Sequence, residues 1–134
     1  MDRKELMALF NRRPRIGALA TAGAGGDVNA AVFGSPQMID ENTIVMGIGK
    51  NRSYNYLKEN PKAVFILMAP GSSPLEWKGV RVYLEAAAIE ITGETLEGIR
   101  AQIARVAGEK SAKAVHAAVK FRITEVRPLI DSNP

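Results

Sequence analysis

The chain has 134 residues, 46% hydrophobic and 24% charged, a balance that suits one globular domain with a core of its own. It has no cysteine and a single histidine, His116, which excludes disulfides, thiolate metal sites, cysteine nucleophiles and any zinc site of several histidines from one chain. The formal charge of +4 is spread along the sequence and suits a small anionic ligand as well as nucleic acid.

No apolar run approaches the ~20 residues of a membrane span. The opening Met1-Asp-Arg-Lys-Glu-Leu6 lacks the apolar centre of a signal peptide. The expectation is a cytoplasmic protein with no membrane segment and no metal.

Residues 2 to 11 read as a short helix, with Leu6, Leu9 and Phe10 on one face, ended by Asn11-Arg-Arg-Pro14. Arg12, Arg13 and Arg15 read as a solvated boundary. Ile16 to Thr21 and Val28 to Phe33 read as strands. The glycine-rich segment Ala22-Gly-Ala-Gly-Gly-Asp27 between them looks superficially like a dinucleotide loop. Its third glycine position is Val28, however, and a strand rather than a helix follows, so the pattern predicts a hairpin. Gln37 to Ile39 extends the meander, and Asp40-Glu-Asn42 turns into the next strand.

The stretch from Thr43 to Pro61 carries the most chemistry. The apolar run Ile44-Val45-Met46 reads as a buried strand, which turns through Gly47, Ile48 and Gly49, where glycine allows positive φ and close approach. Lys50-Asn51-Arg52-Ser53 then opens a helix that Pro61 closes, with Asn51 as N-cap. A helix start offers unpaired N–H donors and partial positive charge. Arg52 adds a planar fork suited to phosphate, and Ser53 adds a hydroxyl, so the stretch is a candidate anion site.

Ala63 to Ala69 reads as a fully buried strand and Pro70 to Pro74 as a loop. From Trp77 to Ile91 the period is two, with Val80, Val82, Leu84, Ala86 and Ala88 on one face. The alanine run suggests either plain tight packing or a close neighbour, a helix or a planar ligand. A helix follows Thr92-Gly-Glu-Thr95 and runs to about Ala107. Leu96, Ile99, Ile103 and Val106 form its buried stripe and Gly108 stops it. Ala114 to Val126 alternates as a strand, placing Val115, Ala117, Val119, Phe121 and Ile123 inward and His116 on the polar face with Ala118, Lys120, Arg122 and Thr124. The sum is a mainly β (α+β) chain of six to seven mostly antiparallel strands and about three helices, a pattern that closes into a barrel.

Taken together, the opening strand Ile16-Gly-Ala-Leu-Ala-Thr21 with its glycine hairpin, the segment Val45-Met-Gly-Ile-Gly-Lys-Asn-Arg-Ser53, the helix ending Leu57-Lys-Glu-Asn-Pro61 before an apolar strand, and the strand beginning Trp77-Lys-Gly-Val-Arg-Val82 resemble a known family. The chain is similar to the FMN-binding split β-barrel proteins related to pyridoxamine 5′-phosphate oxidase, and most to its small bacterial FMN-binding members. The resemblance covers nearly the whole chain, 1–134, as a single domain.

It implies FMN as cofactor and a homodimer with FMN at the subunit interface. Arg52 and Ser53, with Lys50, Asn51 and Gly49, would lie at the phosphate. Met46, Gly47, Asn29, Ala30 and Ala31 would lie along the isoalloxazine ring, and Trp77 and Lys78 would reach the cofactor from the partner chain. The implied function is an oxidoreductase or flavin reductase supplied by NAD(P)H or a protein electron donor. The alternatives on the same scaffold are a non-enzymatic carrier or one-electron transfer protein, or a deazaflavin (F420) or haem binder. Position 53 is Ser where the oxidases tend to have Lys, and Val126-Arg-Pro-Leu-Ile-Asp-Ser-Asn-Pro134 shows no match to their substrate-holding Arg and His, so vitamin B6 oxidation is not implied. Nucleic-acid binding is not expected, because only Trp77 with Lys78 and Arg81, and Tyr54 with Tyr56, place aromatics beside basic residues.

Overall fold

The computed structural model describes residues 1–130; positions 131–134, the end of the C-terminal segment quoted above, lie outside the described residues. In chain order the elements are α1 (Arg3–Phe10), β1 (Ile16–Ala22), β2 (Val28–Val32), β3 (Gln37–Asp40), β4 (Thr43–Ile48), α2 (Arg52–Glu59), β5 (Lys62–Ala69), a 3-10 turn (Pro74–Glu76), β6 (Lys78–Glu90), α3 (Glu94–Ala107), α4 (Glu109–Lys113) and β7 (Ala117–Pro128). The strands form one seven-stranded sheet, ordered β2-β1-β5-β6-β7-β4-β3, antiparallel at every pairing.

Period-two alternation sorts each strand into an inner and an outer row. Along β5, Ala63, Phe65 and Leu67 are buried on the inner face, while Val64, Ile66 and Met68 are half-buried on the outer one. Inner residues of β1, β3, β4, β5, β6 and β7 meet in one core with Leu6 and Phe10 of α1 and Tyr54 and Leu57 of α2. One core shared by opposite ends of the sheet means that the sheet curls around it. Phe65 sits at its centre, 5.4 Å from the Phe10 ring. Gly17 is needed opposite it: a Cβ there would lie 2.2 Å from Phe65 Cζ.

The Gly23–Asp27 hairpin forms as the glycine spacing predicts. Gly23 N–H donates to Asp27 O at 2.8 Å, and Gly26 takes φ +90°, which only glycine adopts freely. The hairpin is tied to α2, because Ala24 N–H donates to Glu59 Oε1 at 2.9 Å.

Tertiary packing overrides the sequence pattern in several places. On β6 the pairing passes from Ala86↔Phe121 to Ala88↔Lys120, leaving Ala87 as a bulge. The bulge reverses the alternation, so Ile89 rather than Ala88 packs on the core. On α3 the buried stripe ends at Ile103, and Val106 is 79% exposed. The chain then forms α4, a fourth helix where three were expected, and β7 begins only at Ala117. Val115 and His116 therefore precede the strand. Ala118, expected on a polar face, is fully buried beneath α3 with Val115 and Leu96, because that face of β7 is covered by a helix rather than by water.

Candidate functional site

The turn from β4 into α2 is built by short-range hydrogen bonds. Asn51 caps α2 as its sequence position predicts, accepting Tyr54 N–H on Oδ1 at 3.0 Å, while its carbonyl accepts Asn55 N–H at 3.0 Å. Of the four N–H groups that a helix start leaves open, those of Arg52 and Ser53 remain without an acceptor among the described residues. The first turn holds no carboxylate. Lys50 and Arg52 are exposed on either side of the cap, and neither has an ion-pair partner among the described residues. Two free amide donors, a helix-end partial charge and two exposed cations lie within four residues of chain at the surface where α2 starts, with no acid in the first turn, and a phosphate cradle can be built from such donors.

Ser53 does not face this surface as an open donor. It is 1% exposed, and its Oγ accepts from Asn29 Nδ2 at 3.1 Å, so it forms the floor and pins α2 to edge strand β2. Asn29 and Ala31 point toward α2. Ala30 points to the opposite, exposed face of β2. Beneath Asn29, its cross-strand partner Thr21 is 4% exposed with an unpartnered hydroxyl.

The strand expected to turn at Gly47 continues through Ile48, and Gly47 and Gly49 keep negative φ, since positive-φ glycines fall only at 26, 93 and 108 among the described residues. Close approach at Gly47 is real, but α3 and the segment before β7 make it: a Cβ would stand 2.8 Å from Ile99 Cγ2 and 3.0 Å from Val115 Cγ1. Along the edge, Gly47 N–H donates to Ser35 Oγ at 3.1 Å and Ser35 Oγ donates back to Gly47 O at 3.1 Å. Met46 is 1% exposed and its side chain belongs to the core. Gly49 packs under Ala114 O, where a Cβ would lie at 3.3 Å.

Trp77 and Lys78 stand elsewhere. Lys78 pairs with Ala69 at the far end of β5 from the helix α2 that precedes it. Both line an open groove of about 600 Å³ with Leu9, Arg12 and Leu129. Within one chain they do not join the α2 cradle. His116 sits in the approach to β7, donating its N–H to Ile48 O at 2.8 Å, with its ring edge-on to Tyr54 at 5.0 Å. Ser35 was not singled out in the sequence, because no spacing rule connects it with Gly47, twelve residues on.

Arg13 and Arg15, expected as a solvated boundary, grip the β2–β3 connection. Arg13 Nη2 donates to Gly34 O at 3.4 Å, and Arg15 Nη2 donates to Pro36 O. Arg15 lies over Phe10 and Phe65, 5.2 and 5.8 Å from the ring centroids. Burial, then the nearby Arg13 charge, lowers its pKa to about 10.

The curled seven-stranded antiparallel sheet with α2 at the β4 end is the FMN-binding split-barrel fold of the proteins related to pyridoxamine 5′-phosphate oxidase. No protein-family model matches the sequence, and no curated protein matches it significantly. Among solved structures, the chain is similar to an FMN-binding protein from Syntrophomonas wolfei (24% identity, 98% of this chain and 90% of that one, TM-score 0.81). It is also similar to HutZ, the haem storage protein from Vibrio cholerae (18% identity, 96% and 95%, TM-score 0.67), and to an F420 reductase (16% identity, 89% and 93%, TM-score 0.66).

Proposed function

We propose that the protein is a homodimeric FMN-binding flavoprotein, an oxidoreductase or flavin reductase that passes electrons from NAD(P)H or a protein donor. The observation that carries this reading is the α2 cradle, where the free Arg52 and Ser53 amides and the Lys50 and Arg52 side chains suit a phosphate monoester. When bound, the flavin supplies the redox chemistry. The chain's own residues bind and orient it. No residue at the cradle is placed as a general acid or base, which suits hydride or electron transfer.

A second copy of the chain is the proposed partner. The outer face of β2, β1 and β5 carries Val28, Ala30 and Val32, then Ala18, Ala20 and Ala22, then Val64, Ile66 and Met68, in register across the strands. Val28 and Val32 are 77% and 74% exposed. A contiguous apolar patch of this kind on a sheet edge supports a protein contact there, and it includes the strand that Asn29 links to the cradle. The similarity to the FMN-binding protein favours flavin over haem. His116, the one histidine of the chain, is half-buried with its ring edge-on to Tyr54.

The test is the visible absorption spectrum of the purified protein, followed by titration with FMN and riboflavin. Oxidised-flavin bands, FMN release on denaturation and much tighter binding of FMN than riboflavin support the reading. Arg52→Ala should remove most of that difference, because each charge-assisted bond is worth roughly 1.5–3 kcal/mol. A protein that takes up no FMN, or binds FMN and riboflavin equally, overturns it. Deazaflavin or haem bands move the function to those cofactors.

A further inference from the structure

We infer that Ser35 is a positioning residue for the α2 cradle, holding β4 in place where its own sheet neighbour ends. This rests on the flavin reading above. Strand β3 pairs with β4 only as far as Val45, opposite Gln37. Beyond that point the edge of β4 is open, and Gly47 points both its N–H and its C=O away from β7. Ser35 Oγ accepts the first and donates to the second, so one hydroxyl closes the edge as a paired strand would.

The neighbourhood fixes both partners. The carbonyls on either side of Ser35, those of Gly34 and Pro36, are held by Arg13 and Arg15, and Arg15 is itself stacked over Phe10 and Phe65 of the core. Gly47 is pressed from the other side by Ile99 and Val115. Four residues further on stands the cap, Asn51, whose own N–H donates to Gly49 O at 3.0 Å. A displacement of Gly47 is therefore passed through a short link to the amides that face the phosphate. Ser35 contacts none of those amides, and acts on them through Gly47.

The test compares Ser35→Ala and Ser35→Thr with the unmodified protein. The first readout is amide hydrogen exchange in the ligand-free protein. Ser35→Ala should speed exchange at Gly47 at least about tenfold relative to Met46, which faces β7. The second readout is affinity for FMN and for riboflavin. Because the link runs from Gly47 through the cap to the amides that face the phosphate, loss of the two bonds should weaken FMN about five- to tenfold and riboflavin by clearly less. Ser35→Thr, which keeps the hydroxyl, should restore both. Unchanged exchange at Gly47 overturns the inference, and so does faster exchange with an unchanged FMN-to-riboflavin ratio or an equal loss for both ligands. If the unmodified protein binds no FMN, the flavin reading fails by itself, and exchange at Gly47 and Arg52, with rescue by Ser35→Thr, decides whether Ser35 holds the turn.

Discussion

Gly47→Ala sets steric clash against chain entropy. The residue has ordinary strand φ, so alanine brings no backbone strain, and stiffening the unfolded chain should stabilise the fold by about 0.4–1 kcal/mol. Against this, the new methyl would stand 2.8 Å from Ile99 Cγ2, 3.0 Å from Val115 Cγ1 and 3.6 Å from Ile103 Cδ1. The first contact cannot be kept and the second only if Val115 gives way, so α3 must lift from β4 or Ile99 and Val115 must leave their rotamers, at a cost of about 1–3 kcal/mol. The steric term wins, and the expected net loss is about 1–2 kcal/mol. For a chain of this length that lowers Tm by about 3–8 °C. The assay is chemical denaturation of Gly47→Ala, Ile99→Ala and the double variant. Ile99→Ala removes the nearest clashing carbon, so the double variant should be more stable than the sum of the singles predicts, with a coupling of about 1 kcal/mol. A Gly47→Ala protein as stable as the unmodified one would refute close packing of α3 on the strand, and additive single effects would show that Ile99 is not the group in the way.

Asn51→Ala should cost about 1 kcal/mol by freeing Tyr54 N–H at the α2 start, seen as a lower denaturant midpoint with unchanged slope. Phe65→Ala should cost about 3–5 kcal/mol, because it empties the centre of the core against Phe10. Asp2 and Asp40 have lowered carboxyl pKa values, chiefly through the backbone N–H groups of Glu5 and Asn42 respectively. Their contribution is thus present at neutral pH and lost as pH falls through and below 3.8, so the stability of the Asp2→Asn/Asp40→Asn variant should fall less between pH 5 and pH 2 by urea titration. Arg15 behaves in the opposite sense. Its folded pKa of about 10 lies below the ordinary guanidinium value, so folding gains as pH rises above about 10, a gain that Arg15→Met should abolish in denaturation between pH 9 and 11.

The sequence by itself determined the elements whose signals are local. Asn51 caps α2 because its side chain reaches only three residues ahead, and the Gly23–Asp27 hairpin follows from glycine spacing alone. The strands of period two, and the basic helix start at Lys50 to Ser53, were legible for the same reason. Where the pattern failed, a partner distant in the chain intervened. Ala118 is buried because α3 covers it, Ile89 turns inward because β6 gains a residue against β7, and Val106 is exposed because the cluster under α3 ends at Ile103. At the site, only the tertiary structure could show that the space Gly47 offers is taken by Ile99, that Ser53 is turned toward Asn29, that Trp77 lies at the other end of β5, and that Ser35 closes the edge of β4. Hydrophobic period and capping act within a few residues of chain, whereas which surface a strand edge or a small residue meets is set by the closing of the sheet around its core.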